Sequence, residues 1–170
     1  MNKTTKTSLK YIDSYLSGLE KYTKEQFEFK SAPTVWSLQE MYSHITYSSV
    51  MSFIAAKRCA EGTKNTDEGL TFAGKLIFFF NMYPPFKIKA PKSVKDKTPI
   101  LTIEESKKEW LKLKDSLIEN EQLILNADPK NRIKHPLIGG LNGKHWYKFV
   151  PLHLYHHLQQ KNRLDKLLPN

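Results

Sequence analysis

The strongest constraint on the fold of this chain is a helix-start signal that occurs twice. In SLQE (37–40) and TIEE (102–105) a hydroxyl residue is followed three positions later by glutamate. Such a capping box satisfies otherwise orphaned backbone N–H groups at the first turn of a helix. Ser37 and Glu40 therefore open a helix that runs to about Ala60 and stops before Gly62. Thr102 and Glu105 open another, over 102–126, which ends before Asp128-Pro129. Its Trp110, Leu113, Leu117 and Ile124 follow a core stripe at helical spacing.

Two further segments complete the pattern. Leu9, Ile12, Leu16 and Leu19 make one face of a helix over 8–22 apolar. Asn142 is placed to cap a last helix over 143–168, which Pro169 ends. Residues 62–101 read as irregular, with prolines at 84, 85, 91 and 99 barring a long helix. Within them 70–80 is apolar enough for a short helix packed on the others. HPLIGGLNG (135–143) reads as a loop, and nothing alternates over several strands. The expectation is an all-α protein: one four-helix-bundle domain over 1–170, with a long crossover connection between the second and third helices.

HLYHHLQQ (153–160) holds three of the six histidines. On a helical wheel Trp146, Val150, His153, His157, Leu164 and Leu168 share a face, so His153 and His157 point inward one turn apart, with His156 at the edge. Buried imidazoles need partners, and neutral imidazole suits zinc, iron and nickel. His44 shares a face with Met41, Ser48, Met51 and Ala55, the side expected to be buried. Three histidines from two helices leave coordination positions open, as a catalytic metal site requires. The competing reading of His44 is a core histidine bonded to a carbonyl or to Tyr47. His135 reads as a loop residue and His145 as part of a first helical turn, and neither is a candidate ligand.

The net charge of +10 comes from 27 basic and 17 acidic residues, largely interleaved. KIKAPKSVKDK (87–97) is the one dense basic stretch and reads as a solvated crossing loop; no signature of a nucleic-acid-binding motif accompanies it. The longest apolar run, near LIFFF (76–80), falls far short of the ~20 residues of a spanning helix, so no membrane partner is expected. No secretory signal opens the sequence, and a lone Cys59 forms no internal disulfide. Both favour a cytoplasmic setting.

WSLQEMYSHI (36–45) and HLYHHLQQ resemble the W-S-x-x-E-x-x-x-H and H-x-x-x-H-R-G-Q motifs of the DinB-like superfamily, which includes the YfiT-like metal-dependent enzymes. KAPKS (89–93) and HPLIGGL (135–141) resemble an uncharacterised branch of it. The chain departs from the family pattern at Leu158 and Gln159 and keeps Gln160. The resemblance implies a four-helix bundle holding one divalent ion (Zn, Ni, Fe or Mn) on His44, His153 and His157. It also implies small-molecule chemistry, with thiol-dependent S-transferases among the relatives. No carboxylate on the inner faces offers a general base, which favours transfer to or from a low-molecular-weight thiol over hydrolysis. Tyr47 and His135 are the expected substrate contacts. The alternatives are a non-catalytic metal-binding or stress-response scaffold, or homodimer, with aromatics of 78–86 as interface, and a basic nucleic-acid-binding protein.

Overall fold

A computed structural model describes residues 1–83 and 98–169. Among them the chain runs α1 (Lys3–Leu19), α2 (Lys24–Glu28), α3 (Leu38–Ala60), α4 (Phe72–Phe80), α5 (Ile103–Glu119), α6 (Glu121–Leu125), β1 (Arg132–His135), β2 (Gly139–Asn142) and α7 (Gly143–Asp165). Both capping boxes close. Ser37 Oγ accepts from the Glu40 N–H at 3.1 Å and Glu40 accepts from the Ser37 N–H at 2.9 Å. Thr102 and Glu105 exchange the same pair at 3.2 and 2.8 Å. Asn142 caps α7 by accepting from the His145 N–H at 2.9 Å.

The four long helices close a ring: α3 packs on α7, α7 on α1, α1 on α5 and α5 on α3, with α3 and α7 in the most extensive contact. Trp110 is fully buried at the centre and stacks on Tyr15 at 5.4 Å. The buried phenols bond across the bundle, which offsets the cost of taking their hydroxyls out of water. Tyr15 donates to the Leu154 carbonyl at 2.8 Å, Tyr42 to that of Tyr15 at 3.1 Å, and Tyr147 to that of Leu117 at 2.7 Å. Among the described residues no helix is long and apolar enough to cross a membrane.

Four details differ from the sequence expectation. The first helix begins at Lys3 and ends at Leu19, rather than spanning 8–22, because Asn2 caps it and Thr5 and Ser8 join its buried face while Leu9 and Leu16 stay half-buried. The buried hydroxyls have partners: Thr5 bonds Glu121 and Tyr147, and Ser8 donates to the Thr4 carbonyl. A further capping box, Thr23 with Gln26, then opens the short α2. The expected 102–126 helix breaks at Asn120, whose side chain donates to the Ser116 carbonyl at 3.0 Å and so competes with the backbone. The last helix stops at Asp165 rather than 168, where Leu167 and Leu168 bond three residues back instead of four.

The fourth difference is the segment expected as a loop. Residues 132–142 form an antiparallel hairpin in which Arg132 pairs Asn142 and His135 pairs Gly139. Residues 65–71 run beside it, with the Thr71 N–H on the Ile138 carbonyl and the Gly140 N–H on the Gly69 carbonyl, both at 3.0 Å. Gly139 has φ +90°, and a Cβ there would stand 2.5 Å from the Gly69 carbonyl oxygen. The crossover therefore begins as a strap on the hairpin and continues as α4, inside the expected 70–80. The breaks at Pro84, Pro85 and Pro91, the KAPKS segment, Phe86 and the lysines of 87–97 lie outside the described residues.

Candidate metal centre

His153 and His157 leave α7 toward α3, and His44 leaves the second turn of α3 toward them. The three ring centroids are 4.6 Å (His153–His157), 4.9 Å (His44–His157) and 5.5 Å (His44–His153) apart. One ring nitrogen from each lies within 4.8 Å of the others. His44 and His157 are buried, and His153 is half-buried.

Gln160 sits one turn beyond His157 with its carbonyl oxygen 2.8 Å from Nδ1. An amide oxygen only accepts, so Nδ1 carries the proton and Nε2 presents a lone pair to the site. That Nε2 is 3.1 Å from His153 Nε2. Burial first, and the neighbouring imidazoles second, hold the pKa of His153 well below the ordinary histidine value; His157 is depressed in the same way, burial again leading. Neutral imidazole is the form that ligates metal. Without a cation one of the two facing nitrogens must donate to the other; with one, both lone pairs converge on it. His153 Nδ1 is buried with no hydrogen-bond partner.

The donor set fits a small divalent ion. Two nitrogens at the observed 3.1 Å separation both reach an ion at about 2.1 Å, subtending about 95°. His44, whose ligand atom lies within 4.8 Å of the other two, could serve as the third ligand, with the ~4.2 Å limit that such bond lengths set reached by a small inward shift.

Aromatic rings enclose the cluster. Trp36 stands edge-on to His44 at 5.3 Å. Tyr83 stacks on His153 at 5.7 Å and also meets Phe149 and His156; burial raises its phenol pKa far above the usual value. Beside His44 a pocket of about 180 Å³ opens between Trp36, Glu40, Thr98 and Ile100. Glu40 lines it with its carboxylate engaged, one oxygen on the Ser37 N–H and the other 2.9 Å from Lys30 Nζ.

The other sequence candidates fall around this cluster. Tyr47 is half-buried on α3, one turn past His44. His135 lies on β1, its ring 5.0 Å from Phe149 and 5.3 Å from Trp146, and its Nδ1 accepts from the Leu137 N–H at 3.1 Å. Burial pushes its pKa down to about 4. Phe149 thus stands between His135 and His153, which it meets at 5.3 Å. His145 meets Phe78 in the first turn of α7, and His156 packs on Tyr83. Met51, expected on the buried face of α3, is 38% exposed. Sequence reasoning gave no site role to Trp36, Tyr83, Phe149 or Gln160. Trp36 directly precedes the N-cap, where an apolar residue often packs, and Gln160 lies three residues from His157 on the same face. Tyr83 reaches the site from the crossover and leaves no local trace.

A family model described as the DinB superfamily matches residues 9–160. In shape the chain is similar to TT2238, a four-helix bundle protein with a crystal structure, at a TM-score of 0.56 and 16% identity over 94% of this chain and 96% of that one. That likeness shows the fold. No curated protein matches the sequence.

Proposed function

The chain belongs to the DinB superfamily, and from that premise we propose that it is a divalent-metal-dependent enzyme, with His44, His153 and His157 as ligands, that transfers a low-molecular-weight thiol to a small electrophile. The observation that carries this reading is the meeting of three imidazoles beside an open pocket. A divalent ion bound there would favour thiolate over thiol and offset negative charge developing on the acceptor.

The remaining roles belong to the chain. Three neutral ligands cancel none of an ion's charge. Gln160 holds the His157 ring in the tautomer that turns Nε2 inward. Trp36, Tyr83 and Phe149 keep water from the ring faces. Glu40, held by Ser37 and Lys30, is committed as a cap and not as a base. A thiol with a pKa of ~8.5 requires no strong base to ionise beside a cation, whereas water at a hydrolytic centre would use one. Tyr47 and His135 contact the substrate, at the margins of the cluster.

The test is elemental analysis of tag-free protein, then turnover of a panel of small thiols with an electrophilic acceptor, comparing metal-loaded, chelated and His157→Ala protein. Turnover that needs both the ion and His157 is expected. Turnover that survives both removals refutes the metal-centred reaction, and metal binding without turnover of any thiol returns the protein to a non-catalytic scaffold.

A further inference from the structure

α4 is apolar on both sides. Its inner side, Gly74, Ile77 and Phe78, is buried. Gly74 fits so closely under the hairpin that a Cβ there would stand 2.6 Å from the Ile138 carbonyl oxygen. The outer side carries Phe72 (78% exposed), Leu76 (41%), Phe79 (80%) and Phe80 (63%). These four positions fall within an arc of about 100° on the helix. Met82, just past the helix, and Leu137, between the hairpin strands, are also exposed, at 55% and 45%. Large side chains so exposed and so aligned mark a contact surface and not scattered surface residues.

The charge around this stripe selects its partner. Lys75 flanks it on the helix, exposed. Lys148 reaches over from α7, donating to the Phe78 carbonyl at 3.2 Å and lying over the Phe78 ring. The carboxylates on the neighbouring strap are paired, Asp67 with Lys64 and Glu68 with Lys134. The chain as a whole carries +10. A second copy would bring the same net charge of +10 to this face. Single-stranded nucleic acid would use the rings but not Leu76, which stacks on no base.

We propose that the outer face of α4 seats the protein on an anionic lipid surface, with Phe72, Phe79 and Phe80 in the acyl boundary and lysines at the headgroups. This mode needs no spanning segment, and it replaces the sequence expectation of no membrane partner, which rested only on the lack of a run long enough to span.

The test is cosedimentation of the full chain with vesicles of phosphatidylcholine alone or mixed equally with phosphatidylserine, at low and high salt. Wild type should bind the mixed vesicles and be released by salt. The triple variant Phe72→Ser/Phe79→Ser/Phe80→Ser should bind about tenfold or more weakly with unchanged circular dichroism. No binding by wild type, or equal binding by the variant, overturns the proposal. So does wild-type self-association, or binding of a single-stranded oligonucleotide, that the triple substitution abolishes, since either assigns the stripe to another partner.

Discussion

His157 Nδ1 lies 2.8 Å from the Gln160 carbonyl oxygen, one turn along the same helix. That bond decides which nitrogen of His157 faces His44 and His153. Gln160→Ala should therefore weaken divalent-metal affinity by about 10–100-fold, the usual cost of losing a partner that orients a ligand. Gln160→Glu restores an acceptor and should recover most of the affinity. Competition against a chromogenic chelator measures both. Equal affinities in all three proteins would show that the bond only packs the helix.

Imidazoles packed together without a cation, two of them buried, are a cost that an apolar side chain avoids. His157→Leu should raise the melting temperature of the metal-free protein by about 2–4 °C, the shift that ~1 kcal/mol gives a domain of this size. It should also lose the stabilisation that a ligand confers on wild type, about 4 kcal/mol at a thousandfold excess over Kd. His156→Ala should keep that stabilisation. Differential scanning calorimetry with and without metal reads all three, and a His157→Leu protein still stabilised by metal contradicts the assignment.

Local signals carried much of this architecture and the cluster. The capping boxes at Ser37 and Thr102 and the cap at Asn142 fixed three helix starts, because such bonds are made within four residues. The i, i+4 spacing of His153 and His157, with His44 on a buried face, was enough to bring three rings together once α3 and α7 packed. The Asn120 break and the Thr23 capping box rest on local bonds that the sequence also carries, whereas the other misses arise because the deciding partner lies far away in sequence. Thr5 reads as a surface residue until Glu121 and Tyr147 arrive to bond it. The hairpin strands are four residues each, with two glycines in β2, and are held by the strap of residues 65–71 rather than by any alternation of their own. Tyr83 covers His153 from a connection whose course no helical period describes.

Gly139 is one of the positions where the strap and the hairpin touch. A side chain there meets both a left-handed φ of +90° and the Gly69 carbonyl oxygen at 2.5 Å. Gly139→Val should cost at least the ~1–3 kcal/mol of a strained backbone position. It should also speed hydrogen exchange at the Thr71 and Gly140 amides, which bond across that contact, while exchange in the middle of α5 changes only with global stability. Unchanged exchange at those two amides would refute the strap.

Acid should destabilise the metal-free protein before its carboxylates titrate. Burial holds His153 and His157 well below the ordinary histidine value of 6.5 and His135 at about 4. As pH falls through ~6.5 the unfolded chain takes up protons at these residues and the folded chain does not. The unfolded state then binds more protons, so stability rises with pH and is lost on acidification. Each histidine held neutral contributes a slope of up to ~1.4 kcal/mol per pH unit. His135 continues to contribute down to about pH 4, where the folded side chain also protonates. His135→Phe keeps a ring beside Phe149 and Trp146 and removes this one titration. Urea unfolding between about pH 7 and about pH 5 should therefore show a shallower decline in the variant, by approximately one proton's slope. Parallel declines would mean that His135 protonates as readily in the folded protein as in the unfolded chain.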